Sequence, residues 1–111
     1  MAVTVFQQRV YDAARRIPRG RVATYAELAR AIGCRCPRAV GQALRRNPFA
    51  PEVPCHRVIA TDLTPGGFNG QRQGPELVRK LALLATEGVE FGPDGRLCQP
   101  ARLFQFYQAD G

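Results

Sequence analysis

Apolar residues recur three or four positions apart in two long segments of the chain. Positions 4 to 17 show this spacing with polar residues between, which predicts an amphipathic helix ending at Pro18-Arg19-Gly20. Positions 76 to 86 repeat the pattern and predict another helix, closed by Glu87-Gly88. The positions of this later helix expected to face inward are Leu77, Leu81 and Leu84.

A capping signal opens a third helix between these two. Thr24 and Glu27 have the spacing of a capping box, in which Thr24 accepts from an amide of the first turn and Glu27 reaches back to the Thr24 amide. The helix is predicted to continue to Ile32 and to stop at Gly33, because glycine commonly follows the last helical turn.

A fourth helix is predicted after a short turn at positions 33–36. Pro37 suits the first turn of a helix that runs from Arg38 to Arg46. Two short helices joined by a glycine-containing turn are typical of a helix-turn-helix. The apolar face of the second helix is expected to comprise Val40, Ala43 and Leu44.

Regular periodicity is absent from positions 47–73. Within them, Val53 to Ile59 is predicted to be a short extended segment and 64–70 a loop. Val89 to Phe91 alternates weakly, and the aromatic residues of the tail are expected to pack rather than to stack on bases. We therefore predict a mainly α fold with a small β element: a single winged-helix-like domain over residues 1–111 that contains a helix-turn-helix.

Positive charge is concentrated in the first half of the chain. Residues 1–60 contain eleven arginines against three acidic residues, a net charge of +8, whereas residues 61–111 carry −1. Such an imbalance favours a polyanionic partner, because each phosphate that arginine neutralises releases condensed counterions. Together with the helix-turn-helix, the charge predicts DNA binding.

The remaining composition excludes several classes of protein. No apolar run approaches the roughly 20 residues of a membrane-spanning helix, and the first residues lack the pattern of a secretory signal, so we expect no membrane. A cytoplasmic monomer is expected, nucleoid-associated in a bacterium. The four cysteines are expected to be free thiols. Because Cys34 and Cys36 match no usual zinc spacing, neither a metal nor a cofactor is expected.

The candidate for chemistry is Pro54-Cys55-His56-Arg57, where the only histidine directly follows a cysteine. A thiol attacks only as thiolate, and a neighbouring imidazole can take its proton. Taken alone, this pair leaves two interpretations open. Cys55 is either a nucleophile or a small buried side chain, since neighbours on an extended segment point to opposite faces.

Six motifs in order extend this interpretation. They are Thr-Tyr25-Ala-Glu-Leu-Ala, Pro-Arg38-Ala-Val-Gly, Arg-Asn47-Pro, Pro-Cys55-His-Arg-Val-Ile, Gly-Phe68-Asn-Gly and Glu87-Gly. With these motifs, the chain resembles the O6-alkylguanine-DNA alkyltransferase family from about Val5 to Val89.

The resemblance implies a function in DNA repair. The partner would be double-stranded DNA containing O6-alkylguanine, bound in the minor groove by the helix-turn-helix, and the flipped base would give its alkyl group irreversibly to Cys55. The resemblance further implies that His56 accepts the Cys55 proton through a water and that Glu87 orients His56. Tyr25 would press on the DNA backbone and protonate the leaving guanine.

Further roles follow from the same resemblance. Arg38 would fill the gap left by the flipped base, Asn47 would brace the active-site turn and Phe68 would wall the pocket. The implied DNA-binding residues are Tyr25, Arg38, Ala39, Gly41, Arg45 and Arg46. The implied pocket residues are Asn47, Val53, Pro54, Phe68, Asn69 and Gly70.

The chain also departs from the longer members of that family. We expect no preceding ribonuclease-like domain, and Gly70 to Pro75 is longer and less glycine-paired than the family's usual Gly-Gly. Residues 74–97 resemble the alkyltransferase-like proteins, which usually have tryptophan or alanine in place of the cysteine. The alternative function is therefore a non-enzymatic sensor that binds O6-alkylguanine and recruits nucleotide excision repair. The intact Cys55 favours transfer.

Overall fold

The computed structural model describes residues 3–49, 52–66 and 74–106. The described residues form four α-helices and a two-stranded parallel sheet in which Ala23 pairs with Val58. The helices are α1 (Val5–Arg15), α2 (Tyr25–Ala31), α3 (Pro37–Arg45) and α4 (Pro75–Thr86), and the strands are β1 (Ala23–Thr24) and β2 (Val58–Ile59). The predicted mainly α fold with a small β element is confirmed. That residues 1–111 form a single domain stays a prediction.

Side-chain caps determine where the first two helices begin. Thr4 and Gln7 form a complete capping box at α1, with both hydrogen bonds at 3.0 Å. At α2, Thr24 accepts from the Glu27 amide at 3.1 Å as predicted. The reciprocal bond from Glu27 was predicted wrongly: its carboxylate lies 3.6 Å from Arg30 instead. Thr24 also ends β1, so the sheet holds the backbone that precedes α2.

Helices α2 and α3 form the predicted helix-turn-helix. Gly33 has a φ of +73°, the left-handed conformation that ends a helix, and the Cys34 amide closes the turn on the Ala29 carbonyl at 2.8 Å. α3 begins with Pro37. Its buried residues are Val40, Ala43 and Leu44, as the pattern predicted.

The segment from Val53 to Ile59 was predicted to be extended, and most of it is not. Cys55–Arg57 form a 3₁₀ turn, and only Val58–Ile59 are in a strand. The cause is local. The Cys55 amide donates to the Val53 carbonyl at 2.8 Å, and the Arg57 amide donates to the Pro54 carbonyl at 2.9 Å. Cys55 and His56 therefore do not follow the alternating directions of a strand.

The strands separate two hydrophobic clusters. Ala23 and Val58 belong to the larger cluster, which α1, α2 and α3 surround, while Val22 and Ile59 belong to the smaller one, which also contains Leu84 of α4. Adjacent residues, Val22 with Ala23 and Val58 with Ile59, thus face opposite clusters.

The inward face of α4 is shifted from the predicted one. Leu84 is buried, but Leu77 and Leu81 are only half-buried, and the side chain with no exposed surface one turn before Leu84 is Lys80. Although it is buried away from water, the Lys80 ammonium has a hydrogen-bond partner in the protein. Its Nζ donates to the Val58 carbonyl at 2.7 Å.

The tail packs back on the rest of the protein. The Val22 amide donates to the Arg102 carbonyl at 2.9 Å, and the Phe104 amide donates to the Val22 carbonyl at 2.7 Å. Phe106 is 5% exposed and belongs to the larger cluster, as predicted for a packing aromatic residue. Among the helices of the described residues, none is long and apolar enough to cross a membrane.

Candidate active site

Asn47, two residues after the end of α3, holds the turn that carries Cys55. Its Nδ2 donates to the Val53 carbonyl at 3.0 Å, and its Oδ1 accepts from the Phe49 amide at 2.8 Å. The same Val53 carbonyl accepts from the Cys55 amide. Val53 and Pro54 are buried beneath this turn. The backbone of Cys55 is therefore held at a fixed place relative to α3.

Cys55 is half-buried and lies at the meeting point of core and cavity. It packs against the larger cluster and also lines a cavity of about 990 Å³. The lining comes from α3 and from residues 60–66, together with Tyr25, Cys55, Leu77 and Gly95. Below, we call this cavity the groove.

Five of the predicted site residues meet in the groove. They are Tyr25, Arg38, Gly41, Arg45 and Cys55. Among the predicted DNA-binding residues, Ala39 and Arg46 do not line it. Phe68, Asn69 and Gly70 were predicted for the pocket and lie outside the described residues.

The Tyr25 ring is held between two glycines. A Cβ atom at Gly41 of α3 would lie 3.8 Å from the ring, and one at Gly66 would lie 3.3 Å from it. Gly66 also has a φ of +73°, which favours glycine. The missing side chain at Gly66 leaves room for the ring, whereas a Cβ atom at Gly41 would make only an ordinary van der Waals contact with it.

Behind Cys55, His56 belongs to a buried charge network centred on Glu87. His56 Nε2 lies 2.9 Å from Glu87 Oε2, and both side chains are less than a tenth exposed. Arg57 binds both carboxylate oxygens, with Nε 2.9 Å from Oε1 and Nη2 3.0 Å from Oε2. Its Nη1 donates to the Ile17 carbonyl at 2.9 Å, which fixes the guanidinium against α1.

This network determines which nitrogen of His56 carries the proton. Burial acts to raise the pKa of Glu87, but the hydrogen bonds from Arg57 and His56 bring this pKa down to about 2, so the carboxylate is ionised. Burial lowers the pKa of His56 despite the opposing hydrogen bond with Glu87, so the imidazole is neutral near pH 7. An ionised carboxylate only accepts, so Nε2 carries the proton and Nδ1 has the free lone pair.

Lys80 approaches the same site from α4. Its Nζ lies 6.0 Å from the centre of the Tyr25 ring. Burial lowers the pKa of Lys80 to about 7, and the negative charge of the Cys55 thiolate acts in the opposite direction. A buried amine that changes charge near neutral pH therefore lies within electrostatic reach of the thiol.

The comparison with family models identifies the family to which most of the chain corresponds. Residues 5–89 match the family described as "6-O-methylguanine DNA methyltransferase, DNA binding domain". The chain belongs to this methyltransferase family.

Individual methyltransferases of the family match about three quarters of this chain. A methylated-DNA–protein-cysteine methyltransferase of Metallosphaera sedula is 46% identical over 83 residues, which are 75% of this chain and 49% of the relative. The chain spans about half the length of the methyltransferases that it matches.

Solved structures of relatives extend the comparison. The structure of S. pombe Atl1 in complex with damaged DNA containing O6-carboxymethylguanine has a TM-score of 0.77 and 32% identity, and covers 95% of this chain and 99% of Atl1. The structure of Mycobacterium tuberculosis OGT in complex with DNA has a TM-score of 0.63 and 42% identity, and covers 78% of this chain and 50% of OGT.

The sequence interpretation missed several residues of the site, among them two of α3 and one of α4. Gln42 and Leu44 of α3 line the groove, and helical spacing places Gln42 one turn after Arg38. Lys80 was missed because lysine on an amphipathic helix is normally exposed. The spacing in the sequence does indicate its burial, because Leu77, Lys80 and Leu84 lie three and four positions apart and so share one face of the helix. Across the described residues, no three His, Cys, Asp or Glu side chains converge as metal ligands.

We expect Lys80→Met to change how stability depends on pH. Because the pKa of Lys80 falls from 10.5 in the unfolded chain to about 7 in the folded protein, the unfolded state binds more protons between these values. The free energy of unfolding therefore rises with pH in this window, by at most about 1.4 kcal/mol per pH unit, and the lysine is charged in both states below it.

The measurement is urea denaturation of both proteins at several pH values. The wild-type minus Lys80→Met difference should increase from about pH 7 to about pH 9 and stay level below pH 7. Groups common to both proteins cancel in this difference. Parallel stability curves across the whole range would show that Lys80 does not titrate near pH 7.

Proposed function

We propose that this chain is a DNA repair protein that transfers the alkyl group of a flipped O6-alkylguanine irreversibly to Cys55. The observation that carries the proposal is the position of Cys55: it opens into the groove that Tyr25 and Arg38 also line, with the His56 and Glu87 pair directly behind it. A nucleophile, a base and a group that orients the base thus follow one another, as in a catalytic triad.

In the proposed reaction, Nδ1 of His56 accepts the proton of the Cys55 thiol through a water. The thiolate attacks the alkyl carbon bonded to O6 of guanine, a carbon–sulfur bond forms and the carbon–oxygen bond breaks. The bonding electrons pass to the guanine, which takes a proton from the Tyr25 hydroxyl. The products are unmodified guanine and a stable thioether on Cys55, so each molecule reacts once.

Charged groups around the site support the proposed proton transfer. The Lys80 ammonium attracts the Cys55 thiolate, and Glu87 stabilises the imidazolium that forms when His56 takes the proton. The pair of His56 and Glu87 thus provides general-base catalysis, which typically contributes about 10²–10⁴-fold to a rate.

The proposed DNA contact places α3 in the minor groove. Arg38, near the start of α3, fills the stack after the damaged base has rotated out, and this offsets part of the few kcal/mol that extrusion costs. Arg45, one turn from Gly41 on the same wall, contacts the phosphate backbone. The proposed location is the cytoplasm, on the nucleoid in a bacterium, and the proposed acting form is a monomer.

A lesion sensor is the second candidate function. The match to Atl1 covers 95% of this chain and so includes residues beyond Val89, where the family match ends. A sensor would bind O6-alkylguanine in the same groove, leave Cys55 unmodified and recruit nucleotide excision repair proteins.

A transfer assay separates the two functions. The protein is incubated with excess duplex that contains O6-methylguanine with a radiolabelled methyl group, and the label on the protein is counted over time. We expect a plateau at about one methyl group per molecule and no label on Cys55→Ala. Selective binding of the damaged duplex without labelled protein would refute transfer and support the sensor.

A further inference from the structure

The lining of the groove includes a hairpin residue from beyond the segment that matches the family. Gly95 lines the groove together with Arg38 and Arg45, although the family match ends at Val89. Gly95 belongs to the turn between Phe91 and Leu97, which form an antiparallel bridge. The groove therefore has a lining residue whose role the family match does not describe.

Hydrogen bonds hold this turn in one conformation. The Gly92 amide donates to the Arg96 carbonyl, and the Gly95 amide donates to the Gly92 carbonyl, both at 2.8 Å. Asp94 Oδ1 accepts from the Arg96 amide at 3.0 Å. The Leu97 amide donates to the carbonyl of Leu63, at 2.9 Å, which ties the turn to residues 60–66. These hydrogen bonds therefore hold the backbone that carries Arg96 in a defined conformation.

Arg96 brings a positive charge to the rim of the groove. Its side chain is exposed, and within residues 3–49, 52–66 and 74–106 its guanidinium makes neither a hydrogen bond nor an ion pair. The hydrogen bond from Leu97 to Leu63 joins the turn that carries Arg96 to the segment containing Asp62, an acidic residue that lines the groove. Hydrogen bonds from Thr64 lower the pKa of Asp62, and the Arg96 charge adds to this effect. The negative charge of Asp62 would repel a polyanion at this rim. The positive charge of Arg96 opposes that repulsion and offers the polyanion a contact.

We propose that Arg96 binds a DNA phosphate at the rim of the groove and gives the protein a DNA contact outside the helix-turn-helix. This inference rests on the DNA binding in the proposed function. Arg38 and Arg45 line the groove from α3, and Arg96 directly follows the groove-lining Gly95, so a duplex bound over the groove would meet arginines from both elements. A phosphate contact of this kind strengthens binding to damaged and undamaged duplex alike, because phosphates carry no information on the base.

The test must separate a phosphate contact from simple neutralisation of Asp62. We therefore compare Asp62→Asn with the double variant Asp62→Asn/Arg96→Ala. Asparagine retains the oxygen that accepts from the Thr64 amide and hydroxyl, so the turn is kept while the negative charge is removed. Arg79→Ala is the matched control, because Arg79 is exposed on α4 about 200° round the helix from the groove-lining Leu77.

Binding to an O6-methylguanine duplex and to the unmodified duplex is measured by fluorescence anisotropy at several salt concentrations. We expect Arg96→Ala in the Asp62→Asn background to weaken both complexes several-fold and to reduce the slope of log K against log salt by about 0.9. Arg79→Ala should retain the wild-type slope.

An unchanged slope in the double variant would overturn the phosphate contact and leave Arg96 as a counterion of Asp62. The two proposals fail in different ways. Wild-type protein that binds neither duplex would refute DNA binding altogether, whereas wild-type binding with an unchanged Arg96 slope would refute only the role of Arg96.

Discussion

Glu87→Gln is expected to slow methyl transfer by about 10²–10⁴-fold. Glutamine has the size of glutamate, but its amide can donate to Nε2 of His56 at the position where the carboxylate only accepts. The imidazole then turns to the tautomer that carries its proton on Nδ1, and the lone pair that would take the Cys55 proton is lost. Single-turnover kinetics with an O6-methylguanine duplex measures the rate.

The same substitution should destabilise the protein by about 3–5 kcal/mol, because the largely buried Arg57 guanidinium loses its counter-charge. It should also remove part of the acid sensitivity. The pKa of Glu87 is lowered to about 2, so its contribution to stability is complete above about pH 4.5 and is lost as the pH falls towards 2.

Glu90→Gln provides the matched control for Glu87→Gln. Glu90 is exposed three residues further along, and neither the rate nor the stability should change by a measurable amount. A folded Glu87→Gln protein that transfers methyl at the wild-type rate would contradict the role of Glu87 in orienting His56.

Arg38→Ala is expected to remove most of the preference for damaged DNA. Without a side chain to fill the stack, the full cost of extruding the base opposes binding, so the ratio of affinities for damaged and undamaged duplex should fall by about tenfold or more. The fold should be retained or slightly stabilised, because Arg38 is exposed in the first turn of α3, where the helix dipole disfavours a positive charge.

Arg45→Ala distinguishes selectivity from affinity. Arg45 lines the same groove from the last turn of α3, and its loss should weaken binding to both duplexes by a similar factor, with the ratio retained. Competition binding with the two duplexes measures both the affinity and the ratio of affinities. If Arg38→Ala preserves the wild-type ratio, another group fills the stack.

The helices and the turn between α2 and α3 could be predicted because their signals are local. Thr24 caps α2, Gly33 ends it and Pro37 begins α3, each within a few residues of the backbone that it controls. By contrast, the turn at Cys55 was predicted wrongly, since its shape depends on Asn47, which reaches it from the end of α3.

Contacts between residues far apart in the sequence could not be predicted from sequence patterns alone. The contact between His56 and Glu87 joins residues 31 positions apart, and it was expected only from the resemblance to a family. Lys80 was missed because its burial depends on a carbonyl of β2 that α4 happens to cover. The position of Gly95 in the groove lining requires the hairpin to fold back on residues 60–66, which no periodicity predicts.

The most direct test of transfer to Cys55 is peptide mapping by mass spectrometry after incubation with an O6-methylguanine duplex. The chain contains its own controls, since Cys36 and Cys98 are exposed and Cys34 is half-buried like Cys55. We predict one methyl group on the peptide containing Cys55 and none on the others, because only this thiol has His56, Glu87 and Lys80 around it. An unmodified Cys55 in protein that binds the damaged duplex, or a methyl group on another cysteine, would contradict the account.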